Sequence, residues 1–235
     1  MDHVRWADGR DFLVRVIGPV LIVCGLVVAF GLAVTGPLAV PLNAEDAVNQ
    51  SLAARRFGTL DAITTVWSFL GTTSAIVAVC LVVSAVVLWR TCDWRLAAVP
   101  AMAILMQLLL YLTATALVHR ERPSVQRMES LLPMSSYPSG HVGASMALYL
   151  AIILLASRVG PVGLRRSITA VCAAVPLLVA FSRLYQGMHH VSDVVVGMAG
   201  GAACAILAYS WYVHRAQTST VSTGARRRGA LRRLE

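Results

Sequence analysis

Three short segments carry almost all of the polar chemistry in this chain: residues 119–123 (HRERP), 138–141 (PSGH) and 182–193 (SRLYQGMHHVSD). Together they supply Arg120, Arg122, Arg183, the Ser139 hydroxyl, Gly140, two well-spaced histidines (His141 and His189) and Asp193. In PSGH, proline pre-sets a first helical turn, serine caps it, and glycine lets the backbone approach a ligand. A helix starting there offers free N–H groups and a positive dipole end, which bind phosphate. An ordinary capped helix start would explain the tetrapeptide by itself, but an ionisable His141 at the start of an apolar run points to function.

In the third segment His189 and Asp193 are four apart, so they share a face if a helix starts there. A carboxylate accepting from one imidazole nitrogen would fix the tautomer and aim the other nitrogen as a nucleophile. The plainer alternative makes Asp193 a helix N-terminal charge and His189 an interfacial residue. Arg183, across a turn around Gly187, can return to the same spot. His190 points elsewhere on a helix and is read as non-catalytic. In the first segment Arg122 precedes proline, which extends it, and its planar fork suits two phosphate oxygens. Arg120 could add a second fork, or pair with Glu121 or lipid headgroups. No cysteine, histidine or carboxylate spacing resembles a metal site, so neither a metal nor another cofactor is expected.

The elements that must position these groups are apolar. The chain has 235 residues, is 57% hydrophobic and has mean hydropathy +0.71, too apolar for a soluble domain of this length. Uncharged runs cover 16–44, 62–89, 96–118, 130–157, 167–182 and 194–213. A bilayer core needs about 20 mostly apolar residues per helix. Five runs reach that length. The fifth in order is 16 residues long, and the arginines at its ends can snorkel to the interfaces. The expected fold is all-α, a single domain over 1–235 with six transmembrane helices in one bundle. Residues 1–15 form a cytoplasmic N-terminus, its run too long for a signal peptide and better read as an uncleaved first span. Residues 216–235 form a disordered cytoplasmic tail. Pro100 and Pro176 are tolerated kinks, and Gly197 and Gly201 have helix-packing spacing. Residues 43–57 are either a short interfacial helix, with Leu52 and Phe57 against lipid, or a plain connecting loop. Cys24, Cys80, Cys92, Cys172 and Cys204 read as apolar packing residues without disulfides.

All 20 basic residues are arginine, and the net charge is +9. Topology explains this better than nucleic acid, which is not expected as a partner. With the N-terminus cytoplasmic, 14 arginines fall inside and 6 outside. The basic tail from Arg226 then lies near anionic lipid. In that orientation all three motif segments fall together on the extracytoplasmic face of the plasma membrane.

The combination Arg122-Pro123, Pro138-Ser139-Gly140-His141, Ser182-Arg183, His189 and Asp193 resembles the type-2 phosphatidic acid phosphatase superfamily. These are lipid phosphate phosphatases that share an active site with vanadium haloperoxidases. The resemblance runs from the third expected span to the sixth. It implies that Arg122, Arg183, Ser139 and the Gly140 amide hold phosphate. His189 would attack phosphorus and become a phosphohistidine, Asp193 would orient it, and His141 would protonate the leaving oxygen and then activate water. It implies no metal. The family's first lysine falls at Thr115, which offers one neutral hydrogen bond, so either Arg120 or Arg127 supplies the missing cation from the loop, or turnover is weaker or substrate choice altered. The implied partner is a membrane lipid phosphate, with a polyprenyl (undecaprenyl-type) pyrophosphate or phosphate first. Phosphatidate, lysophosphatidate and phosphatidylglycerol phosphate are close rivals. A lipid phosphotransferase and a non-catalytic lipid-binding or transport protein are the readings from other classes. Oligomeric state is not legible.

Overall fold

The structure is a computed structural model, and it describes residues 13–39, 44–129, 135–159 and 161–231. Arg5 and Arg10, the expected start of the fourth apolar run at residues 130–134, and Arg232 and Arg233 lie outside the described residues, as do the side chains of the basic tail from Arg226. A π-helical turn, Leu13–Ile17, enters α1 (Gly18–Thr35). There follow α2 (Ala44–Ala53), α3 (Gly58–Phe69), α4 (Thr73–Thr91), the one-turn α5 (Trp94–Ala97) and α6 (Val99–Leu117). The last three are α7 (Gly140–Val159), α8 (Val162–Tyr185) and α9 (Val191–Leu231). No strand occurs among the described residues.

Six stretches among the described residues are long and apolar enough to cross a bilayer: Leu13–Thr35, Thr73–Thr91, Trp94–Leu117, Gly140–Arg158, Val162–Tyr185 and Val191–Gln217. The fold is an all-α multi-span membrane bundle, as the apolar runs predict. Leu21, Ile22, Leu81, Val82 and Val171 point outward as a lipid-facing surface. Inside, small residues let backbones close up: Ala103, Ala147, Ala151, Ala205 and Ala208 are fully buried between α6, α7 and α9. Gly197 and Gly201 serve this packing. A Cβ on Gly197 would lie 2.7 Å from the Ser139 carbonyl oxygen, so this glycine brings α9 directly behind the PSGH turn.

Four expectations need correction. The run 62–89 is not one span. It breaks at Leu70–Thr72 into α3 and α4, where Thr72 caps α4 by accepting from the Ala75 N–H at 3.4 Å. Gly71 at the break lies so close to α7 and α8 that a Cβ would sit 3.1 Å from His141 Cβ and 2.8 Å from Val179 Cγ1. The fifth span is 24 residues, not 16, and Arg183 near its end does not snorkel, being 0% exposed. Pro100 lies in the first turn of α6, where its missing N–H costs nothing, and only Pro176 is interior. Residues 216–231 are not irregular, because α9 continues to Leu231: extending an existing helix adds one hydrogen bond per residue without a new nucleus. The five cysteines are all unpaired. Cys80, Cys172 and Cys204 are buried and Cys24 is half-buried, whereas Cys92 is exposed at the left-handed end of α4.

Candidate active site

The helix ends fix the site. Ser139, Gly140 and His141 stand at the start of α7, Arg183 on the last turn of α8, and Asp193 on the first turn of α9. Between α8 and α9 the chain reverses at Gly187, whose φ of 70° is open to glycine at no steric cost. Backbone hydrogen bonds stitch the ends together: Ser139 N–H to Asp193 O (3.0 Å), Ser136 N–H to Arg120 O (2.9 Å) and Met128 N–H to Gln186 O (3.2 Å). Arg56 braces the same rim, donating to the carbonyls of Tyr185 and Gln126.

His189 is 5% exposed. Its Nδ1 donates to the Ser136 carbonyl at 2.7 Å, since a carbonyl can only accept, which leaves the Nε2 lone pair available. Burial, reinforced by the nearby Arg183 charge, pushes its pKa down to about 3, so the ring is neutral at pH 7. Asn49 of α2 holds the His189 carbonyl at 3.1 Å and the Leu184 carbonyl at 3.2 Å. Asp193 Oδ2 lies 4.0 Å from His189 Nδ1, on the same face as expected but beyond hydrogen-bond distance. Asp193 instead accepts from the Ser136 hydroxyl (2.5 Å), the His190 backbone N–H (2.8 Å) and Arg120 Nη1 (2.5 Å). It closes the first turn of α9 like the acid of a capping box, and reaches His189 through Ser136. The plain alternative, a helix N-terminal charge, is thus part of its role.

Two arginines lie within electrostatic reach of each other and of His189. Arg183 commits Nη1 to Ser68 Oγ (2.7 Å), Glu129 Oε2 (2.9 Å) and Gln186 Oε1 (3.3 Å). Its Nε and Nη2 are buried without a partner. Arg122 likewise commits Nη1 to the Met188 carbonyl at 2.6 Å and leaves Nε buried without a partner. Burial, and then the like charge of Arg183, press the Arg122 pKa below its usual range. The Ser139 hydroxyl is fully buried and also unpartnered. Unpaired buried donors cost about 1–3 kcal/mol each, more when charged. Several gathered beside a helix N-terminus fit an anion with several oxygens. Gly140 is packed under Tyr111, whose ring would touch any added Cβ at 3.0 Å. His141 is half-buried beside Glu129, Arg183 and Arg122.

Of the roles open to Arg120, a second phosphate fork or an ion pair, the structure contains an ion pair, with other acids than Glu121: the guanidinium bridges Asp193, Ser192 and Glu45 of α2 (3.1 Å), and so braces α2 against α9. His190 lies in the same network, its ring 3.4 Å from Asp46 and 3.3 Å from Asp193. The 43–57 segment contains a helix, α2, that caps this network. Thr115 donates only to the Tyr137 carbonyl, at 3.5 Å. Arg127 is exposed and lines a cavity of about 590 Å³ with His119, Arg120, Arg122 and Ser135. Sequence reasoning missed Glu45, Asn49, Ser68, Glu129 and Ser136. A signal existed for the acids: five of the chain's 11 acidic residues, Glu45, Asp46, Asp61, Glu129 and Asp193, hydrogen-bond around this rim.

Fold and site together define a membrane-embedded helical protein in which buried, unpartnered donors of Arg122, Ser139 and Arg183 accompany an oriented histidine. The model of the PAP2 superfamily matches residues 96–217, just over half of the chain, and the chain belongs to that superfamily. Its fold matches the crystal structure of a transmembrane PAP2-type phosphatidylglycerolphosphate phosphatase from Bacillus subtilis, with a TM-score of 0.71 and 20% identity over 82% of this chain and 93% of that one. It also matches Aquifex aeolicus LpxE, with a TM-score of 0.55 and 20% identity over 70% of this chain and 93% of that one. No curated protein matches the sequence significantly. The chain therefore has the fold of PAP2-type membrane lipid phosphatases.

Proposed function

We propose that this protein is a lipid phosphatase that hydrolyses a phosphate monoester or diphosphate of a membrane lipid through a phosphohistidine on His189. The observation that carries this reading is the set of buried, unpartnered donors on Arg122, Ser139 and Arg183, gathered by the helix ends that also hold His189 and His141. In the first step His189 Nε2 attacks phosphorus. The N–P bond forms, the P–O bond to the lipid breaks, and His141 gives its proton to the departing oxygen. In the second step His141 takes a proton from water, the water oxygen bonds to phosphorus, and the N–P bond breaks. Arg122, Arg183, Ser139 and the Gly140 amide hold the non-bridging oxygens throughout. Phosphoryl transfer needs mainly such positioning and charge stabilisation. Asp193 acts at one remove, holding Ser136 and so the tautomer of His189. The arginine donors fit a mechanism in which guanidinium charge, not a metal ion, neutralises the phosphate.

The arginine asymmetry supports a site on the extracytoplasmic face of the plasma membrane with both termini inside. That placement favours a polyprenyl phosphate or pyrophosphate carrier as substrate, ahead of phosphatidate or phosphatidylglycerol phosphate. The test is phosphate release from a panel of these lipids by purified protein in detergent, with chelator present. The reading requires release from at least one lipid, undiminished by chelator. No release from any of them would overturn it.

A further inference from the structure

We propose that Glu129 is a positioning residue: it pins one nitrogen of Arg183 so that the other edge of the guanidinium faces the substrate, and its charge limits how tightly the cradle holds product phosphate. This rests on the phosphatase reading above. Glu129 belongs to none of the three motif segments, yet it makes the one carboxylate contact to Arg183 among the described residues, at 2.9 Å. It also accepts from Ser68 Oγ at 3.2 Å, so the short helix α3, the loop after α6 and the end of α8 meet at this carboxylate. The pair is asymmetric: Arg183 is 0% exposed, and the Glu129 side chain is 33% exposed. Burial pushes the Glu129 carboxyl up, but the Arg183 charge and hydrogen bonds outweigh it and hold the group ionised, below its usual range.

Arg122 is the internal comparison. The atom that fixes it is the neutral carbonyl of Met188, and among the described residues no acid contacts its guanidinium directly. Were Arg183 held in the same way, two uncompensated guanidinium charges would face a buried dianion. Such a site binds phosphate tightly and releases it slowly. A carboxylate on the far side of Arg183 offsets one of those charges without occupying the Nε and Nη2 edge.

Inorganic phosphate is the probe. Its affinity for the purified full chain in neutral detergent is measured by calorimetry for wild type, Glu129→Gln and Glu129→Asp. Loss of a charge within ion-pair distance changes the affinity by about tenfold or more. Glu129→Gln keeps the shape but loses the charge, so it should bind phosphate about tenfold more tightly and turn over more slowly, with kcat falling and KM falling with it. Glu129→Asp keeps the charge but shortens the chain, and should stay within about threefold of wild type, since the ion pair persists. A purely structural role predicts the opposite order, the isosteric variant being the milder. Unchanged phosphate affinity in Glu129→Gln, an equal shift in Glu129→Asp, or no binding by any form would overturn the proposal. Turnover is read separately: a protein that binds phosphate as described but hydrolyses no lipid phosphate would count against the catalytic reading alone.

Discussion

The two ends of the helical bundle use the same residue in different ways. At the far end, Arg90 lies over Trp89 (5.2 Å), Arg95 over Trp94 (5.6 Å) and Arg158 over Tyr209 (5.9 Å), each beside an interfacial ring. At the motif end, Arg183 is fully buried, Arg122 half-buried, and both keep donors without a partner among the described residues. Residue type and charge do not separate these groups. Burial and missing partners do. An arginine over a ring is already satisfied where it lies, whereas an arginine with an unpaired buried edge keeps hydrogen-bonding capacity for a ligand.

The comparison is broken most sharply by substitution. His189→Ala and His141→Ala should each abolish phosphate release, and Arg183→Ala should lower kcat by about 10²–10³, the cost of removing an electrostatic donor to the reacting group. Arg90→Ala, Arg95→Ala and Arg158→Ala should leave phosphate release unchanged. A large loss in that second set would erase the distinction. The supporting network should show an intermediate effect: Asn49→Ala or Glu45→Gln is expected to cost about tenfold in kcat, as loss of one hydrogen bond to a placed group would. Kinetics on the purified variants check both.

Acid sensitivity should also trace to the motif end. The folded pKa of His189 lies near 3, well below the unfolded value of about 6.5. Stability from the neutral ring is therefore full above pH 6.5 and is lost as pH falls toward 3, by on the order of 1 kcal/mol per unit. The His189 ring itself stays neutral in the folded protein across this window. Thermal unfolding of wild type should shift down between pH 7 and 5, and that of His189→Gln should shift less. The smallest effects are expected at His190→Ala, within a few-fold of wild type because Asp193 keeps Arg120 and Ser136, and at Thr115→Lys, which should leave activity intact or raise it.

What the sequence disclosed follows the same division. Long apolar runs and three polar segments on one face were legible, because spans and buried ionisable groups leave strong patterns. The break at Gly71 was hidden inside an uninterrupted apolar run, and is set by close packing against His141 and Val179. Arg120 and Arg122 look alike two residues apart, and only Glu45 and Asp193 reveal that the first is already engaged. Ser136 meets His189 through a backbone carbonyl, which carries no residue signature, and only its hydroxyl bond to Asp193 depends on the side chain. Residues 44–53 are polar enough to read equally as an interfacial helix or a loop. Their helix is fixed by the acids Glu45 and Asp46 at its N-terminus and by Asn49 reaching under His189.

The central claim is that phosphorus passes through His189. Rapid acid-free quenching of purified protein turning over a radiolabelled lipid phosphate, followed by peptide mapping, tests it most directly. The account predicts an acid-labile, base-stable label on the peptide containing residue 189, absent from His189→Ala. Label elsewhere, or undiminished turnover by His189→Ala, would contradict it.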